Sequence, residues 1–163
     1  MSVADYKSLV AETSSKKSRR GNSSAGKRAD INFHVRSKWE ANYIRILRFL
    51  NQKFEYEQHE FKFPVERGTR FYLPDFYLPD KDQFVELKGY LDAKSKTQLS
   101  RFMQYHPDKA KRMRIVIKKL FARRGSLTPD AAALVKMGYD MEQLLSYDQW
   151  VMQFSGVIQN WER

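Results

Sequence analysis

The chain has 163 residues, 42% of them hydrophobic and 14% aromatic, enough to bury one folded core. Its 30 Lys and Arg against 19 Asp and Glu leave a net charge of +11, which points to a polyanionic partner, nucleic acid before an anionic membrane surface. The absence of cysteine excludes disulfides, zinc–thiolate sites and thiol nucleophiles, and no apolar run is long enough to span a bilayer. With no apolar h-region near Met1, an intracellular protein that does not enter a membrane is expected.

The charge is unevenly placed. Residues 1–30 hold seven Lys/Arg and three acids, and residues 88–124 hold twelve Lys/Arg and two acids. Residues 31–87 balance, and residues 125–163 are acidic. The first 30 residues are rich in Ser, Lys, Arg and Gly and poor in apolar groups, which predicts a flexible basic arm. Lys16, Lys17, Arg19 and Arg20 in it are candidates for backbone contacts with DNA.

From Val35 the apolar period becomes helical. Ser37 is the expected N-cap, Glu40 stands three residues on as in a capping box, and Trp39, Tyr43, Ile46, Leu47 and Leu50 make one apolar face. Glu40 shares a stripe with Ile44 and Leu47, so it serves either the cap or a site. Three strand-like runs follow: 53–58, 60–64 and 71–78, the last broken by Pro74 and so bent or at an edge. Pro79–Asp82 is a turn, and Gln83–Lys88 is the most apolar strand and the expected centre of a sheet. A helix over 93–105 and a strand over 113–118 then imply a parallel crossover. Thr128, Pro129 and Asp130 open a helix that stops at Gly138. The last segment reads as two short helices that pack on the core or on a partner.

One constellation carries chemistry. Asp75 follows Pro74, and after ten intervening residues comes Glu86-Leu87-Lys88 on the next strand. Side chains alternate along a strand, so Phe84, Glu86 and Lys88 share a face and Asp75 can meet Glu86 across one pleat. Charged groups on an apolar strand are costly to hold without a purpose. Two or three carboxylates with a backbone carbonyl suit Mg²⁺, with Mn²⁺ as a substitute. Asp75, Glu86 and the Leu87 carbonyl would be the ligands, with Glu40 a third carboxylate, and Lys88 would orient water or neutralise charge. A cross-strand Glu86–Lys88 ion pair is the structural alternative. Asp80 also follows a proline, but it sits in the turn at the far end of the hairpin. His34, His59 and His106 lie in unrelated segments and suggest no shared site.

Arg36-Ser37 with Glu40, Lys53–Glu57, Pro74–Pro79, Phe84–Gly89, His106-Pro107 and Arg114–Val116 resemble the PD-(D/E)XK nuclease superfamily. The closer likeness is to the phage endonuclease I group of Holliday-junction resolvases, over about residues 36–118. The resemblance implies an α/β fold with a restriction-endonuclease-like core, a central mixed sheet flanked by helices. It implies Mg²⁺-dependent cleavage of branched DNA by Glu40, Asp75, Glu86 and Lys88, a phosphate contact at Ser37, and a homodimer in which Glu40 acts in cis or in trans. A phage origin would place the protein in a bacterial cytoplasm.

Three regions follow from this reading: a basic arm over 1–30, a nuclease core over 31–124 and a helical C-terminal extension over 125–163. Lys94, Lys96, Arg101, Lys118, Lys119, Arg123 and Arg124 are further candidates for DNA contact. A duplex endonuclease or nickase of homing, restriction-like or transposon-end type is one alternative. A non-catalytic DNA-binding accessory protein is the other.

Overall fold

A computed structural model describes residues 25–163. Lys16, Lys17, Arg19 and Arg20 lie outside the described residues, as does most of the expected arm. The end of that arm is not irregular: Gly26–Arg28 forms β1, antiparallel to β2 at Phe33–Val35. Composition could not show this, because Arg28 is held by Glu162 from the other end of the chain, through contacts of 2.8 and 2.9 Å.

Helix α1 runs over Lys38–Phe49. Ser37 caps it as expected, its hydroxyl accepting the Glu40 N–H at 3.2 Å. Tyr43, Ile44, Ile46 and Leu47 are buried along it, whereas Leu50, placed on the apolar face by its period, is beyond the helix and exposed. The three strand-like runs shrink to β3 (Glu55–Tyr56), β4 (Phe61–Lys62), β5 (Phe71–Tyr72) and β6 (Phe76–Leu78). Pro74 divides the third run. It has no N–H for a ladder, so β5 pairs with β4 in a small sheet while β6 enters the main one.

The main sheet has five strands. Strand β7 (Gln83–Lys88) is central, β8 is Met113–Ile117, β9 is Leu144–Ser146, and the order is β3-β6-β7-β8-β9. Strands β3, β6 and β7 are antiparallel neighbours, and β7, β8 and β9 are parallel. The expected parallel crossover is α2, Ala93–Tyr105, followed by a short α3 at Pro107–Ala110. Helix α4 is Pro129–Lys136 with Thr128 as its cap, and α5 is Tyr147–Phe154.

The sheet separates two cores. Val85, Leu87 and Val116 pack against α1 and α5, and Phe84, Ile115 and Ile117 pack against α2 and α4. The last forty residues are therefore not purely helical: β9 is the fifth strand of the sheet. Its run of three residues is too short to show a period and gains its partner only from β8. The C-terminal aromatics are also used within the chain. Tyr147 stacks on Trp39 with centroids 3.8 Å apart, and Trp150 stacks on Tyr43 at 4.9 Å. The aromatic content of this segment thus gives no basis for a dimer. Among the described residues no helix is long and apolar enough to cross a membrane.

Candidate active site

The sheet opens at one point. The β6–β7 ladder runs from Leu78–Gln83 to Phe76–Val85 and goes no further. Asp75 stands one residue beyond the last pair and substitutes its side chain for the missing strand, Oδ2 accepting the Leu87 N–H at 2.7 Å. Along β7 the N–H and C=O of one residue point the same way and alternate between neighbours. The Phe84 N–H faces β8, where it bonds the Arg112 carbonyl, and the Leu87 N–H faces Asp75. The Leu87 carbonyl is therefore on the Asp75 side, where β6 no longer pairs with it.

Glu86 is 1% exposed. Such burial of a carboxylate is tolerable only with partners. Its Oε2 accepts the Tyr72 hydroxyl at 2.6 Å and the Asp75 N–H at 3.3 Å, and its Oε1 meets the Lys88 ammonium at 2.5 Å. Burial and the Glu86 charge push the Tyr72 phenol far up, so it is a permanent donor. Burial works against the Lys88 charge, but Glu86 and Asp75 more than offset it, and the ammonium stays protonated. The Glu86–Lys88 pair thus exists, but it runs along one strand rather than across two, with Asp75 beside it.

Glu40 approaches from α1, on the other face. Its Oε2 accepts the Arg36 N–H at 2.9 Å and the Tyr56 hydroxyl at 2.5 Å, and its Oε1 accepts the Ser37 hydroxyl at 2.8 Å. Glu40 is thus a helix-capping residue whose charge still reaches Asp75 of the same chain. Burial, then Glu86, then Glu40, raise the Asp75 pKa well above the carboxylate range, against the opposing pull of Lys88. Ser37 is committed to Glu40 on both its donor and acceptor sides.

A fourth carboxylate was not anticipated. Glu57 has φ +51°, a left-handed conformation that costs a non-glycine residue roughly 1–2 kcal/mol. Its N–H donates to the Asp75 carbonyl at 2.9 Å, and its carboxylate holds the Arg36 guanidinium through contacts of 2.8 and 3.0 Å. Burial raises its pKa, with Glu40 and Glu86 adding to the rise and Arg36 opposing it. Glu57 sits inside a strand-like alternation, and nothing in that pattern signals the left-handed turn that brings it to Asp75.

The remaining candidates divide. Lys94 and Lys96 are exposed on the first turns of α2, and Lys118, Arg123 and Arg124 are exposed after β8. Strands β7 and β8 are parallel with Lys88 opposite Ile117, so these cations follow the same sheet end as Lys88. Lys119 pairs with Asp148 at 3.5 Å. Arg101 is half-buried and donates to the Thr69 carbonyl, which makes it a brace for the β4–β5 turn.

Among the described residues no three His, Asp or Glu side chains are gathered as a metal-gripping group as they stand. The donor set of Asp75, Glu86 and the Leu87 carbonyl is nonetheless all hard oxygen, the chemistry that suits Mg²⁺ or Mn²⁺. Asp75 Oδ1 carries no hydrogen bond among the described residues. Burial and the neighbouring Glu86 and Glu40 oppose ionisation of Asp75, and Lys88 does not fully offset them. No protein-family model matches the chain, and comparison with curated proteins returns no match.

Proposed function

We propose that this chain is a metal-dependent DNA endonuclease acting on branched DNA of the Holliday-junction kind, built on a restriction-endonuclease-like core. The observation that carries the reading is the opened β6–β7 ladder, which sets Asp75 against Glu86-Leu87-Lys88 and leaves Asp75 Oδ1 without a hydrogen bond among the described residues. Asp75, Glu86 and the Leu87 carbonyl would hold the cation, with Glu40 acting as a further carboxylate at the site. A bound Mg²⁺ supplies a Lewis acid and an acidified water. Lys88 supplies a fixed ammonium beside the reacting phosphate, where it stabilises developing negative charge. Tyr72 and the Asp75 N–H hold Glu86 in orientation, as second partners of a ligand do. Lys94, Lys96, Lys118, Arg123 and Arg124 supply positive charge at the same end of the sheet, which supports a polyanionic substrate.

Two cleavage measurements test the reading. Wild-type protein with Mg²⁺ should cut a four-way junction faster than a linear duplex of the same sequence, and EDTA should stop it. Equal rates on the two substrates would favour a duplex endonuclease or nickase. Binding without cutting in either Mg²⁺ or Mn²⁺ would favour the accessory protein.

A further inference from the structure

We infer that Arg36 is a phosphate-binding residue of the site and that Glu57 is its positioning partner. The inference rests on the nuclease reading and adds to it a contact on the substrate. Arg36 belongs to none of the basic runs, and it precedes the helix cap. Its backbone N–H is on Glu40, and its side chain is on Glu57, whose own N–H is on the Asp75 carbonyl. The residue thus bridges the two elements that bring carboxylates to the site. Glu57, Glu40 and Asp75 all act electrostatically on its guanidinium.

The guanidinium is used on one edge only. Nε and Nη2 meet the two oxygens of Glu57, and Nη1 has no partner among the described residues. The side chain is 67% exposed, so the free edge faces solvent. A guanidinium carries five donors in a rigid fork, and the free Nη1/Nη2 edge matches two oxygens of a phosphodiester. An exposed ion pair alone would contribute little to stability and would not explain a left-handed Glu57. The local charge supplies the need. Among the described residues Lys88 and Arg36 are the cations set against Glu40, Glu57, Asp75 and Glu86, and a phosphodiester entering such a cluster is repelled unless a cation meets it.

The test is the salt dependence of DNA binding by the full chain, measured by fluorescence anisotropy on a labelled four-way junction. Ca²⁺ replaces Mg²⁺ to hold off cleavage, and salt runs over about 50–200 mM. Arg36→Ala should weaken binding and flatten the slope of log affinity against log salt by about one, the signature of one lost phosphate contact. Arg36→Lys should keep the slope and recover part of the affinity. Glu57→Ala should weaken binding with the slope retained, because the charge remains and only its aim is lost. Unchanged affinity and slope in Arg36→Ala, with wild type binding and cutting, overturn this inference and leave the nuclease reading standing. If wild type neither binds nor cuts DNA, both fall.

Discussion

Helix α1 carries two polar clusters that differ in one respect. At its N-terminus stand Arg36, Glu40, Glu57, Asp75, Glu86 and Lys88. Farther along its length, Arg45 and Asn42 meet Asp30, Arg28 and Glu162. In the second cluster Arg45 is 7% exposed and contacts Asp30 at 2.7 Å and Glu162 at 3.0 Å, while Asn42 accepts the Glu162 N–H at 2.9 Å. Hydrogen bonds from Arg45 hold Asp30 below the ordinary carboxylate range, and Arg28 does the same for Glu162. In the first cluster burial and like charge move Asp75 and Glu57 the other way. One cluster is neutralised and ties the two ends of the described chain to α1. In the other, burial and neighbouring carboxylates oppose the charges of Asp75 and Glu57, and carboxyl groups perturbed in this way mark a candidate functional site.

The sharpest break in this comparison is Asp75→Asn. It keeps an oxygen for the Leu87 N–H and removes the repelled charge. Cleavage should fall to background while the thermal midpoint rises by a few degrees, at about 2–4 °C per kcal/mol for a chain of this size. Glu86→Ala should also abolish cutting but lower the midpoint, because the Tyr72 hydroxyl and Lys88 lose their buried partner. A midpoint that does not rise in Asp75→Asn would mean that the folded protein does not oppose the Asp75 charge. Next in size, Lys88→Ala should reduce the cleavage rate by roughly 10²–10³-fold, the range for removing one preorganised stabiliser of charge in a transition state.

In the neutralised cluster Arg45→Ala should cost about 2 kcal/mol, below the full penalty of a broken buried pair because Asp30 and Glu162 are partly exposed. Cleavage per folded molecule should stay close to wild type. A melt that does not move would show the cluster to be passive.

The two clusters should also separate by pH. The lowered carboxylates of Asp30 and Glu162 contribute stability above their unfolded pKa of about 4 and lose it as pH falls through their folded values. The raised carboxylates of Asp75 and Glu57 act with the opposite sign. The unfolded chain ionises first, so stability falls as pH rises from about 4 through their folded values. Melting wild type from pH 7 downwards should therefore show a rise in midpoint and then a fall below about pH 4. Asp75→Asn should remove much of the rise and keep the fall. The smallest expected effect is Ser37→Ala, about 1 kcal/mol from the lost cap. A larger loss of cleavage than of stability there would add a substrate contact to the cap.

Much of this frame was legible. The cap at Ser37, the break at Pro74, the central strand 83–88, the crossover and the helix after Thr128 each follow from a local rule, and each is present. Glu57, β1 and β9 were not legible. Each is three residues or fewer of signal whose meaning comes from a distant partner: Asp75 for Glu57, Glu162 holding Arg28 for β1, and β8 for β9.

The sequence by itself determined the pairing of Asp75 with Glu86 and Lys88, because strand alternation and the proline break are local properties of the backbone. It also determined where positive charge is dense. Tertiary structure decided which charges are neutralised. Neutralisation depends on which residues distant in sequence meet: Glu162 reaches Arg45 across 117 positions, whereas Asp75 lies against Glu86 and Glu40, with Lys88 opposing them among the described residues.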